Sequence, residues 1–190
     1  MSGATRHGNG EAAAIARLIS DAEPRASRPA GELIARLADA GLLRGAVAED
    51  GTAVDPAGVA GVAIRGVGED SRTIGPGGCI AAIAGAHADG HDHLAGAAAR
   101  GATLALVGRP VPGAGLPALV VADTRGALAV AAAWWYGDPS RSLGTIGITG
   151  TDGKTTTSFL AVAALEAAGI RSGLVGTVAT RIGGHEGVNP

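Results

Sequence analysis

The chain has 190 residues, 46% of them hydrophobic and 17% charged, and a formal net charge of −2 at pH 7. With no run of Lys or Arg it has no nucleic-acid footprint, and no stretch reaches the ~20 apolar residues that span a bilayer, so neither nucleic acid nor membrane is expected as a partner. One cysteine, Cys79, excludes an internal disulfide, and residues 1–14 lack a secretory signal's apolar core; both point to a cytoplasmic setting.

Residues 1–27 are polar, broken by Pro24, and read as a flexible extension with a short helical stretch at 11–19. Leu33, Ile34 and Leu37 recur at helical spacing over 32–40, and Gly41 is a natural stop. Residues 45–61 read as loop, with Asp50-Gly51 and Asp55-Pro56 as punctuation, and 59–67 as a glycine-rich strand. A turn at Pro76-Gly77-Gly78 leads into a short apolar strand over 79–84. Residues 89–100 predict a helix, 103–107 and 119–122 strands. Residues 124–136 predict a further helix capped by Asp123. A strand at 145–149, a glycine loop, a helix at 155–168 and a strand at 174–179 complete the chain. Strands alternating with helices predict an α/β fold with a mostly parallel sheet.

The segment with chemistry is Thr149-Gly150-Thr151-Asp152-Gly153-Lys154-Thr155-Thr156, set between an apolar strand and an apolar helix. Such a loop wraps backbone N–H groups around phosphates and aims the positive end of the next helix at them. Lys154 can reach the outer phosphates and the Thr155 hydroxyl can ligate Mg²⁺. Lys154 is also the chain's only lysine. In the general phosphate loop the first glycine stands earlier, where this chain has Ile148. A bland Gly/Thr turn would leave the lone lysine and the hydroxyl run unexplained.

His87, Asp89, His91, Asp92 and His93 crowd one stretch. No second cluster completes a metal site, so the expectation is a helix-capping Asp89 or Asp92 with the histidines in solvent. Cys79 reads as a small buried hydrophobe, and Trp134 and Trp135 as packing residues.

The T-G-T-x-G-K-T-T form of the loop resembles the Mur ligases and their folylpolyglutamate synthase relatives. Asp70-Ser71-Arg72, Pro76-Gly77-Gly78 and Gly85-Ala86-His87-Ala88-Asp89-Gly90-His91-Asp92 resemble the N-terminal domain of MurE and MurF ligases. Gly78 stands where the family usually has Asp, Cys79-Ile80 where it has Leu-Phe, and His93 where Phe is common. Gly173-Leu174-Val175-Gly176-Thr177-Val178 and Tyr136-Gly137-Asp138-Pro139-Ser140 resemble the MurE type in particular.

The resemblance implies a MurE/MurF-type N-terminal α/β domain at 28–123 that binds UDP-MurNAc, followed at 124–190 by the opening strand, phosphate loop, helix and strand of a P-loop NTPase-like central domain. It implies ATP held by Gly150, Thr151, Asp152, Gly153, Lys154, Thr155 and Thr156, with Lys154 catalytic and Thr155 on Mg²⁺. Glu69, Ser71, Ala86, His87 and Ala88 would meet the uridine diphosphate part of UDP-MurNAc-L-Ala-D-Glu. The implied reaction is ATP-dependent addition of a diamino acid, meso-diaminopimelate or L-lysine, through an acyl phosphate. The family's carbamoylated lysine is not among these residues, so the 190-residue chain alone is expected not to ligate. An incomplete second sheet should leave apolar surface exposed and the isolated chain prone to aggregate. Two other readings stand beside this one: a MurF-type ligase, against which Thr151 and Gly176-Thr177-Val178 speak, and a non-catalytic nucleotide-binding module.

Overall fold

The computed structural model describes residues 4–24, 26–85 and 88–188. It divides into two compact units: Pro24–Leu143, and the residues on either side of that segment. The first helix, α1 (Ala4–Ala22), belongs to the outer unit. It lies within the stretch expected as an extension over 1–27, and its Ile15 is buried.

The Pro24–Leu143 unit opens with β1 (Arg28–Pro29) and α2 (Ala30–Asp39). The strands β2 (Leu43–Val47) and β3 (Ala53–Val54) follow. They occupy what the sequence presents as loop, because Gly45 and the Asp50-Gly51 turn mask a short alternating pattern. After a 3-10 turn at Pro56–Val59 come β4 (Ala63–Ile64), β5 (Gly66–Gly68), β6 (Gly78–Ala81), α3 (Leu94–Ala99), β7 (Leu104–Val107), β8 (Ala118–Val121) and α4 (Thr124–Trp135). The main sheet has six strands in the order β3-β2-β8-β7-β6-β5. From β5 to β8 the pairing is parallel, and β2 joins β8 antiparallel.

Its core lies on both faces of the sheet. Leu104 and Leu106 of β7 pack into one cluster with Leu33, Leu37, Ile64 and Trp134. The alternate residues Ala105 and Val107 pack into the other, with Ile80, Leu94 and Leu116. Side chains alternate across a strand, so a central strand covered on both faces must be apolar throughout. Full burial of residues such as Leu33 and Leu37 contributes about 1.5–3 kcal/mol each.

Helix α4 buries Ala127, Ala131, Trp134 and Trp135, a stripe at helical spacing. Asp123 caps it, its carboxylate accepting from the Arg125 N–H at 2.9 Å. The helix is part of this unit's core, so the compact unit runs to Leu143 rather than ending at the expected 123. Alanines let the helix lie close to the sheet, and the two indoles fill the space at its end.

In the outer unit, α5 (Lys154–Ala167) precedes β9 (Leu174–Val175), β10 (Ala179–Ile182) and β11 (His185–Val188). These strands form an antiparallel sheet in the order β11-β10-β9, not the parallel sheet expected to follow the glycine loop. The expected strand at 174–179 is split: Gly176 N–H donates to Ala179 O at 3.0 Å and turns the chain. Between β10 and β11, Gly183 and Gly184 have φ of 59° and 85°, the paired left-handed conformation of a tight hairpin turn. Residues 145–149 form no strand, and Ile146 is 66% exposed. A strand needs a neighbour for its N–H and C=O groups, and none among the described residues pairs with this segment. Leu160 and Val175 are exposed as well, in line with the apolar surface expected here.

Candidate functional site

The glycine loop sits at the start of α5. Gly150 and Gly153 have φ of 149° and 75°, values that favour glycine and let the backbone fold over itself. Gly153 is the N-cap residue and has no side chain to satisfy the helix start. The first bond of the helix runs from Thr157 N–H to Gly153 O at 2.9 Å. The N–H groups of Lys154, Thr155 and Thr156 therefore precede any intrahelical acceptor and face outward with the positive end of the helix. Thr151, Asp152, Lys154, Thr155 and Thr156 are all exposed. The Lys154 ammonium donates to the Gly150 carbonyl, and to Thr151 O at 3.1 Å. It is thus folded back into the mouth of the loop, held by neutral acceptors that an anion would outcompete. This donor set suits a chain of phosphates, and the hydroxyl of Thr155 beside it suits a divalent cation.

A second feature lies in the Pro24–Leu143 unit. A cleft of about 450 Å³ is lined by Glu69, Asp70, Ser71, Arg72, Ile80, Gly90 and His93. It opens beyond the carboxyl ends of β5 and β6, the usual ligand position in an open parallel sheet. Of the residues expected to meet the uridine diphosphate, Glu69 and Ser71 line it. Ala88 is exposed on the neighbouring turn and outside the lining. Ala86 and His87 lie outside the described residues.

Asp70, Arg72, Gly90 and His93 are additions to the expected set. Asp70 and Arg72 form a two-pronged ion pair, Nη2 to Oδ2 at 2.7 Å and Nε to Oδ1 at 2.9 Å. The Arg72 guanidinium, followed by its backbone N–H, lowers the Asp70 carboxyl from 3.8 to about 2. Arg72 itself remains 82% exposed, so its unused N–H groups are open to an anion.

The turn at the cleft wall is tightly built. Ala84 and Asp89 bridge antiparallel, and Gly85 N–H donates to Ala88 O at 2.8 Å. At Gly90 an added Cβ would stand 2.7 Å from Ile83 N and 2.9 Å from Ile83 O, so only glycine fits. Asp89 caps the 3-10 turn Gly90–His93, accepting from His91 N–H at 3.0 Å. It also stands 2.5 Å from His91 Nδ1 and accepts from Arg109 at 3.1 Å. His91 is buried, against the expectation of solvent-facing histidines, and its Nε2 accepts from Gly108 N–H at 3.1 Å. Asp89, by contrast, caps as expected. A clue was present in the sequence: His91 stands three residues before buried Leu94 and so shares its face.

Among the described residues no cluster of His, Cys, Asp and Glu could hold a metal ion. Cys79 is fully buried in β6, and burial pushes its thiol up to about 12, leaving it a packing residue. No helix among the described residues is long and apolar enough to cross a membrane.

A mostly parallel sheet with a cleft past its strand ends, and in the same chain a glycine loop at a helix start, define an α/β protein with two candidate sites. A family model described as "Mur ligase family, catalytic domain" matches residues 63–136, within the sheet unit. A UDP-N-acetylmuramyl-tripeptide synthetase of Roseiflexus sp. (strain RS-1) is 47% identical over 125 residues, 63% of this chain and 24% of the relative. A UDP-N-acetylmuramoyl-L-alanyl-D-glutamate--2,6-diaminopimelate ligase of Streptomyces coelicolor is 42% identical over 164 residues, 84% of this chain and 30% of the relative. The crystal structure of MurF from Acinetobacter baumannii matches with a TM-score of 0.52 and 29% identity, over 76% of this chain and 28% of that one. Over these stretches the chain is similar to Mur ligases, and in sequence to a tripeptide synthetase and a diaminopimelate ligase among them. It spans between 24% and 30% of the length of these relatives.

Proposed function

We propose that the chain carries the nucleotide-sugar cleft and the ATP loop of a cytoplasmic ligase of peptidoglycan precursor synthesis, one that adds a diamino acid to UDP-MurNAc-L-Ala-D-Glu. The observation that carries this reading is the placing of Lys154 and Thr155 on the first turn of α5, directly behind the left-handed Gly153. Relatives named for the same reaction support it.

In this reading Gly150, Thr151, Asp152, Gly153 and Thr156 wrap the ATP phosphates with the loop backbone. Lys154 leaves its carbonyl partners for the outer phosphates, where it balances the charge that develops during transfer. Thr155 would offer its hydroxyl to Mg²⁺, which would supply positive charge to the phosphates. The D-Glu carboxylate attacks the γ-phosphorus and ADP leaves, giving an acyl phosphate. The amine of the diamino acid then attacks the acyl carbon, inorganic phosphate leaves and the amine proton is lost to solvent. In the sheet unit, Glu69 and Ser71 hold the uridine diphosphate end in the cleft that Arg72 also lines, and by the family resemblance Ala86, His87 and Ala88 take part as well.

The test is calorimetric titration of the chain with UDP-MurNAc-dipeptide and with Mg·ATP, followed by a ligation assay with meso-diaminopimelate and with L-lysine. Binding of both nucleotides is the expected result, and ligation is expected only when the rest of a full-length relative's residues are present. Absence of both binding events would overturn the reading. The match to MurF structures favours a second reading, a ligase that adds D-alanyl-D-alanine. Product formed in the full-length protein with that dipeptide, and not with a diamino acid, would select it.

A further inference from the structure

We infer that His91 is a positioning residue for the nucleotide-sugar cleft, a strut that ties the cleft wall to the end of β7; this rests on the proposed reading of that cleft. His91 is the single buried polar side chain among the described residues, 6% exposed, and the proposed reaction gives it no role. Both of its ring nitrogens are engaged. A backbone N–H can only donate, so the bond from Gly108 requires an unprotonated Nε2. The proton is therefore on Nδ1, which donates to Asp89 Oδ1 at 2.5 Å. The ring is a neutral bridge with one end on the turn after β6 and the other on the residue that follows β7.

That turn is Gly90–His93, and two of its residues, Gly90 and His93, line the cleft. On its inner side Gly90 N–H donates to Ile83 O at 2.9 Å, which ties the wall to the chain after β6. His91 supplies the link outward to Gly108, at the end of β7. An apolar side chain of the same bulk would fill the space but leave the Gly108 N–H without an acceptor, which is unfavourable for a buried donor. The turn and the β7 end would then separate to admit water, carrying Gly90 and His93 with them.

The experiment uses the whole chain and uridine diphosphate as probe, with affinity and thermal midpoint measured for the parent, H91F and H91Q. Glutamine offers an acceptor oxygen near the position of Nε2; phenylalanine offers none. H91F is expected to lose about tenfold in affinity for uridine diphosphate, and H91Q to recover most of it. Affinity for Mg·ATP should stay the same in both. Parent-like affinity in a cooperatively melting H91F overturns the inference, as does an equal loss in H91F and H91Q. Should H91F fail to fold, amide exchange in the parent decides: uridine diphosphate is expected to slow exchange at Gly108 together with residues 88–93, and an unchanged Gly108 overturns the strut. A parent chain that does not bind uridine diphosphate overturns the cleft reading, and the inference falls with it.

Discussion

The indole N–H of Trp134 donates to Oε2 of Glu32 at 2.9 Å, fastening the end of α4 to the first turn of α2. Arg28 completes the junction, 4.5 Å above the indole ring and 2.6 Å from the same Glu32 oxygen. Trp134 is fully buried, so W134A removes a large core side chain and leaves a cavity beside a carboxylate. A loss of about 3–5 kcal/mol is expected in urea denaturation of the chain. W134F, which keeps most of the volume, should lose clearly less.

Lys154 rests on two carbonyls of its own loop, so exchanging them for phosphates leaves no bare ammonium at any stage. A charged hydrogen bond of this kind contributes about 1.5–3 kcal/mol. K154A is therefore expected to weaken Mg·ATP binding roughly tenfold to hundredfold by calorimetry. The far-ultraviolet circular dichroism should not change, because the side chain is exposed and packs against nothing in the core.

Thr155 separates the metal contribution from the phosphate contribution. T155V should abolish the gain in ATP affinity that Mg²⁺ brings, while metal-free ATP binds as before. T155S, which keeps the hydroxyl, should retain the gain. Equal magnesium dependence in the valine variant would remove Thr155 from the metal's coordination.

Gly90 tolerates no side chain. G90A places a methyl carbon 2.7 Å from the Ile83 backbone nitrogen, and backbone cannot move aside as a flexible side chain can. Overpacking of this kind costs about 1–3 kcal/mol. Thermal melts should register the loss, and uridine diphosphate affinity should fall with it because the cleft wall is displaced.

Acid should weaken the sheet unit through two carboxylates. The backbone and side-chain donors of His91 first, and Arg109 after them, lower Asp89 from 3.8 to about 2. Arg72 does the same for Asp70. Each group binds its proton less tightly folded than unfolded, so each contributes stability in full above the unfolded value near 3.8. That contribution is lost as pH falls from 3.8 towards about 2. Denaturation midpoints across this window should decline less steeply in D89N than in the parent.

Much of this was legible in the sequence where local chemistry and tertiary context agree. The Asp123 cap, the helix over 124–136 and the glycine loop before α5 each carry their cause within a few residues. The strands β2 and β3 were not, because Gly45 and Asp50-Gly51 look like loop and only the neighbouring β8 makes them strand. Residues 145–149 erred in the other direction: an apolar run reads as strand, yet a ladder requires a partner. In the cleft, Glu69 and Ser71 were legible from the Asp70-Ser71-Arg72 region, whereas Gly90 and His93 enter through a chain path that brings β5, β6 and the Gly90 turn together.

The six-stranded sheet ends on β3, two residues long, and on β5, three residues long. Margins so brief give a foreign strand almost nothing to zip onto, so the sheet cannot template its own polymerisation. The segment Pro24–Leu143 thus offers a foreign strand short edges only, while the exposed Leu160 and Val175 belong to the other unit.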